Sequence, residues 1–244
     1  MIVGENVAKV SASPEGCTFK NEAYEVIIRN TTFTIYDTTG LNEGDQGRVP
    51  HWDAIRGLYK LIRQLNGVSL LVYCMRGRVK ENITSNWILF NKVICGEKVP
   101  IVVVVTGLEG HGDLDDWWRT AGNQNAFKRN KMTPNDVGCV VSHRGMQNEY
   151  AEVYAKSGAK VRDLIIKNYL REPWSEEKDE WFANSYDKVF VTRLCFFYYH
   201  RLECSALMRT RLSELITVSD METEDAKKLE DTLLVAEKEF RKGY

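Results

Sequence analysis

Asp37-Thr38-Thr39-Gly40 closes the strand-forming run Thr32 to Asp37 (TTFTIYD without its first Thr), and this spacing can serve phosphate chemistry. A carboxylate at a strand end can face a magnesium ion, usually through water. The glycine lets a backbone N–H approach a terminal phosphate. A D-x-x-G also describes an ordinary strand-to-turn with a solvated Asp, so its meaning depends on what else the chain supplies. Two more polar loops follow apolar strands: Thr106-Gly107-Leu108-Glu109 after VPIVVVV, and Ser142-His143-Arg144-Gly145 after VGCVV. In an open α/β sheet, ligands bind beyond the carboxyl ends of the strands. Glu109 can accept two hydrogen bonds from a guanine N1–H and N2–H₂, which adenine does not offer. Ser142 and the nearby backbone can approach the guanine carbonyl oxygen. Thr18, before the first hairpin, can close over the magnesium and the last phosphate.

The elements that must position these loops are legible in the hydrophobic pattern. Residues 24–29 and 32–37 read as a hairpin turning at Asn30-Thr31. A polar loop spans 41–52. Asp53 then caps a helix to about residue 65, with Ile55, Leu58, Tyr59 and Ile62 at helical spacing. Strands at 68–73, 99–106 and 137–142 alternate with helices around 85–95, at Trp117-Trp118 and over 148–169. This order predicts an α/β fold, a mainly parallel sheet with helices on both faces, over residues 1–172. Residues 173–244 read as a helical extension, with 176–217 helical and a Ser219-x-x-Glu222 capping box. The stripe Ala226, Leu229, Leu233, Ala236 and Phe240 suits a helix packed on its own domain, or a short coiled coil.

Composition narrows the function classes. The 244 residues are 43% hydrophobic, enough for a sizeable core, and the net charge of −1 gives no electrostatic case for nucleic acid or an anionic membrane. Six cysteines lack C-x-x-C spacing and read as reduced core thiols of a cytoplasmic protein. The apolar stretch at 189–200 contains Arg193 and falls short of the ~20 residues a membrane span needs. The four histidines, His51, His111, His143 and His200, are scattered without metal-ligand spacing. His143 reads as a surface-loop residue or a stacking partner for a purine. Arg76-Gly77-Arg78-Val79-Lys80 reads as a solvated basic loop or a ligand contact.

Taken together, Asp37-Thr38-Thr39-Gly40-Leu41-Asn42-Glu43, residues 67–76 (GVSLLVYCMR) and residues 99–109 (VPIVVVVTGLE) resemble the G-domain proteins common in fungal genomes. These are P-loop GTPases similar to the septin, immunity-associated and chloroplast-translocon class, and the resemblance covers roughly residues 1–170. It implies binding of GTP or GDP at Thr18, Asp37, Gly40, Thr106, Glu109 and Ser142, with Mg²⁺ at Thr18 and Asp37. It also implies self-association into a homo-oligomer. The departures are equally plain. The phosphate-binding pattern G-x-x-x-x-G-K-[ST] does not occur in the chain. On this reading residues 1–4 are the tail of the helix that follows that loop. The sequence is then either a fragment with a misplaced start or a degenerate member. The missing strand belongs mid-sheet, between the strands ending at Asp37 and Tyr73, so its loss leaves edges unpaired or forces those two strands together. Gly107 stands where many GTPases carry a Lys along the base, and Leu41 where Ras-like enzymes place a water-orienting Gln. No catalytic residue is assigned, and hydrolysis is expected to be weak or absent. A non-catalytic interaction module, using the C-terminal helices for association, is the alternative.

Overall fold

The computed structural model describes residues 1–2, 22–38, 52–77, 81–175, 182–192, 195–219 and 223–242; the side chains of 81–83, 85, 182–192, 195–204 and 218–219 are outside it. Thr18 and Gly40 therefore lie outside the described residues, as do Thr39 and the loop 41–51.

At the centre lies a three-stranded parallel sheet, ordered β3 (Leu71–Arg76), β4 (Ile101–Thr106), β5 (Asp136–Cys139). β4 is buried along Ile101 to Val105, because it is sandwiched on both faces. Its side chains alternate accordingly. Ile101, Val103 and Val105 enter one core with Tyr59 of α1 (Trp52–Gln64), Trp87 of α2 (Glu81–Ile88) and Phe127 of α4 (Ala121–Arg129). Val102 and Val104 enter a second core with Val161, Leu164 and Ile165 of α5 (Ala151–Asn168). A period of two along one strand thus selects two helical layers. The short α3 (Asp116–Arg119) sets Trp117 and Trp118 edge-on against Phe127 of α4, with centroids 6.4 and 5.0 Å away.

The expected strand at 68–73 lies three residues later. Val68 is instead bridged to Trp174, its N–H donating to the Trp174 carbonyl at 2.7 Å and receiving the reciprocal bond at 3.0 Å. The backbone of Val68 and Ser69 is used by the returning chain, the Leu170 N–H donating to the Ser69 carbonyl at 2.9 Å, and the ladder with β4 begins only at Leu71. The expected helix at 85–95 begins earlier, at Glu81, and passes into a π-helical segment at Leu89–Ile94.

β1 (Glu22–Ile28) and β2 (Thr31–Asp37) form the expected hairpin, but it turns one residue earlier, at Arg29-Asn30. Both turn residues have positive φ (45° and 65°), as the two-residue turn matched to strand twist requires. Among the described residues this hairpin is a separate two-stranded sheet, not joined by a ladder to β3. Of the two outcomes expected at that junction, direct pairing is not the one observed there. Val26 and Ile28 still reach the second core, where Met1 and Ile2 also pack. Met1 and Ile2 are not helical, and their carbonyls accept hydrogen bonds from Arg162 Nη1 at 3.1 and 2.9 Å.

The C-terminal region departs most from the sequence reading. Residues expected to be helical instead form an antiparallel hairpin, β6 (Phe182–Thr192) with β7 (Cys195–Cys204). Alternating runs such as CFFYYH suit a period of two as well as a helix, and cross-strand pairing decided it. Among the described residues after 175, the helices are α6 (Ala206–Ser219) and α7 (Thr223–Lys242). Met208, Leu212 and Leu215 of α6 and Leu229, Leu233 and Ala236 of α7 enter the first core. The α7 stripe, including Ala226 and Phe240, is buried against the chain itself, as a helix packed on its own domain would be. Residues on either side of the 172/173 boundary therefore share one core. No helix among the described residues is long and apolar enough to cross a membrane.

Candidate functional site

Two of the three polar loops meet at the carboxyl end of the parallel sheet. Thr106 ends β4, half-buried, and its hydroxyl donates to the Met75 carbonyl at 3.3 Å. Leu108 drops into the first core with 1% of its surface exposed, which anchors the loop and leaves Glu109 at its rim. A turn closed by the His111 N–H donating to the Leu108 carbonyl at 2.9 Å then leads away.

From the neighbouring strand, the Val140 N–H donates to the Val105 carbonyl at 2.9 Å, and the Val141 N–H to the Ser157 hydroxyl at 3.0 Å. The β5 edge is thereby carried past the ladder to the exposed Ser142 and His143. His143 then bridges the two loops: its Nε2 lies 3.2 Å from Glu109 Oε1, and its Nδ1 accepts the Gly145 N–H at 3.0 Å. Because Nδ1 is an acceptor, the neutral ring carries its proton on Nε2 and donates it to Glu109. Tyr150 stands edge-on to the imidazole, 5.7 Å between centroids. The Glu109 side chain keeps 20% of its surface exposed, open to a ligand yet desolvated on the protein side.

The loop is fixed at Gly145, whose φ is +74°. A Cβ there would lie 2.6 Å from Glu149 Cγ and from Tyr150 Cδ2. Gly145→Ala is expected to cost about 1–2 kcal/mol, from the left-handed backbone and the clash. For a chain of this size that lowers Tm by about 2–8 °C, measurable by thermal melting. An unchanged Tm would show that the loop relaxes freely.

The third loop is only partly in view. Asp37 ends β2, exposed, and its Cα partner across the hairpin is Glu22. Two carboxylates directly opposite repel. Asp37 titrates above its ordinary value, through desolvation first and the Glu22 charge second. Tyr24 donates its hydroxyl to Glu22, which binds that carboxylate from the side. Asp37 also lies within electrostatic reach of Cys74 on β3, which places the hairpin beside the sheet. Cys74 is a free thiol with part of its residue surface accessible, though desolvation pushes the thiol up to about 11; Cys95 and Cys139 are buried. Among the described residues, no cluster of three or more His, Cys, Asp or Glu is placed to hold a metal ion.

Two participants were underweighted by sequence reasoning. His143 read foremost as a surface-loop residue, yet it contacts Glu109; the signal was its place one residue after Ser142, in the loop that follows β5, the strand beside β4. Arg76 read as a solvated loop residue, yet it is the last residue of β3, register-paired with Thr106. The chain matches none of the known protein-family models and none of the curated proteins it was compared with.

Proposed function

We propose that the chain binds a guanine nucleotide at the carboxyl-end loops of β4 and β5, with GTP hydrolysis weak or absent. The observation that supports this most is the Glu109 carboxylate, rim-exposed beside Ser142-His143 at the carboxyl edge of a parallel sheet. A carboxylate there fits the paired N1–H and N2–H₂ donors of guanine and repels the acceptor N1 of adenine. Thr106 and Ser142 flank it, and His143 holds the carboxylate until a base replaces the imidazole N–H as donor.

Asp37 fits a water-mediated magnesium contact. Desolvated and faced by Glu22, its carboxylate would gain from a cation, which would also relieve the cross-strand repulsion. Thr18 and Gly40 would complete that side. GTP or GDP would bring the phosphates that bridge to the ion. Without G-x-x-x-x-G-K-[ST] in the chain, the affinity rests mainly on the base.

Titration with fluorescent GDP and GTP, with and without Mg²⁺ and against the adenine analogues, tests the reading. Guanine nucleotides should bind in preference to adenine ones. Glu109→Ala should weaken guanine-nucleotide binding about tenfold or more, because it removes a charge-assisted hydrogen-bonding pair. Equal affinity for adenine, or an unchanged affinity in the variant, would remove the base assignment. Failure of all nucleotides to bind would leave the interaction-module reading in its place.

A further inference from the structure

Arg76 stands beside this site with nothing yet assigned to it. It is the last residue of β3 and pairs in register with Thr106, so its Cα is fixed next to the loop that carries Glu109. The next residue is locked as well: the Gly77 N–H donates to the Thr106 carbonyl at 3.1 Å, and Trp117 Nε1 donates to the Gly77 carbonyl at 3.2 Å. Across from it, Gly107 has φ +75° and no side chain. A Cβ placed on Gly107 would meet only Arg76, at 3.8 Å from Cγ, 3.9 Å from Cβ and 4.0 Å from Cδ. The aliphatic stem of Arg76 therefore covers the space that the Gly107 side chain vacates. The side chain is exposed, and among the described residues its guanidinium has no ion-pair partner.

We infer that the Arg76 guanidinium is the platform on which a guanine base stacks while Glu109 holds the base edge. The inference rests on the guanine reading above and adds the contact to the face of the base. A guanidinium is planar and weakly hydrated, so it stacks on purines, whereas an ammonium does not. Its charge also complements the Glu109 carboxylate, so the two residues take different parts of one ligand: Glu109 reads the edge and sets specificity, and Arg76 supplies sequence-tolerant stacking. The sheet positions both from adjacent parallel strands. Arg76→Ala should therefore weaken every purine while leaving the guanine preference intact.

The test is calorimetric titration of the full chain with guanosine, GDP and adenosine, on wild type, Arg76→Ala, Arg76→Lys and Glu109→Ala. Because Arg76 is exposed, its variants should melt with the wild type. Guanosine carries no phosphate, so it separates stacking from anion binding. The expected result is that Arg76→Ala weakens guanosine and GDP by the same factor, about tenfold. Arg76→Lys should be nearly as weak, and Glu109→Ala alone should erase the preference over adenosine. A loss for GDP without a loss for guanosine, or full rescue by Lys, would make Arg76 a phosphate contact and overturn the platform. Unchanged binding of both ligands in Arg76→Ala would overturn it too, leaving the Glu109 assignment standing. If wild type binds neither guanosine nor GDP while remaining folded, the Glu109 reading fails and the platform falls with it.

Discussion

Glu237→Ala is expected to destabilise the chain by about 3–5 kcal/mol, because it removes the carboxylate that a buried arginine ion-pairs with. Glu237 of α7 is fully buried, and both its oxygens are doubly engaged. Oε2 accepts from the Tyr59 hydroxyl at 2.7 Å and from Arg63 Nε at 3.1 Å. Oε1 accepts from Arg63 Nη2 at 2.9 Å and from Arg241 Nε at 2.7 Å. The Arg63 side chain is only 6% exposed and also lies over the Phe240 ring, 5.2 Å from its centroid. Removing the carboxylate takes one acceptor from a desolvated guanidinium and from a desolvated phenol, and takes away the charge that balances the guanidinium. The neighbouring Arg56 and Lys60 contacts to Glu239 are solvent-accessible, so they cannot compensate.

Calorimetric melting should show Tm falling by about 6–20 °C in Glu237→Ala. Replacing both partners, as in Arg63→Met with Glu237→Met, should recover most of the loss, since no buried charge is then left alone. A single variant within about 1 kcal/mol of wild type would show that α7 does not clamp α1 through this network.

The same network sets an acid limit. Burial would raise the Glu237 pKa, but hydrogen bonds from Arg241, Arg63 and Tyr59 overcome it and hold the carboxyl below its ordinary value of 4.5. A depressed carboxylate contributes stability above its unfolded pKa and loses it as pH falls through the folded value. The stability gap between wild type and Glu237→Ala should therefore be full at neutral pH and narrow below about pH 4.5. A gap that stays constant down to pH 3 would assign the effect to lost packing.

Trp87→Ala carries the second large effect, a loss of about 3–5 kcal/mol from an unfilled core site. Trp87 has no exposed surface and meets Tyr73 edge-on, with centroids 5.7 Å apart at 70°. Yet its Nε1–H is buried and, among the described residues, has no acceptor. An unmade buried hydrogen bond costs about 1–3 kcal/mol. Trp87→Phe deletes that donor along with part of the ring, so the two terms oppose. The Phe variant should lose less than about 1.5 kcal/mol in urea denaturation. A loss for Phe as large as that for Ala would show that retained ring volume does not help and that the indole N–H finds an acceptor in solution.

The sequence by itself determined the elements whose pattern is strong. The all-apolar IVVVV of β4 can only be buried on both faces, so helices above and below it were legible, as was a parallel sheet. The helix at 52–64 was legible from its apolar spacing, and the α7 stripe from its 3-4-3-4 spacing. The loops bearing Thr106, Glu109 and Ser142 were placed at the carboxyl edge because each follows such a strand. Boundaries failed where the deciding partner is remote in sequence: β3 starts late because Trp174 takes the backbone of Val68. β6 and β7 were read as helix because aromatic-rich runs fit both periods, and cross-strand pairing decides between them. Only the tertiary structure brought His143 onto Glu109, set Arg76 in the space beside Gly107 and buried Glu237 among Tyr59, Arg63 and Arg241. Each of those arrangements joins residues on different elements. A single chain's local pattern fixes which face of a helix or strand is apolar, but not which charged groups two packed elements will bring within 3 Å of each other.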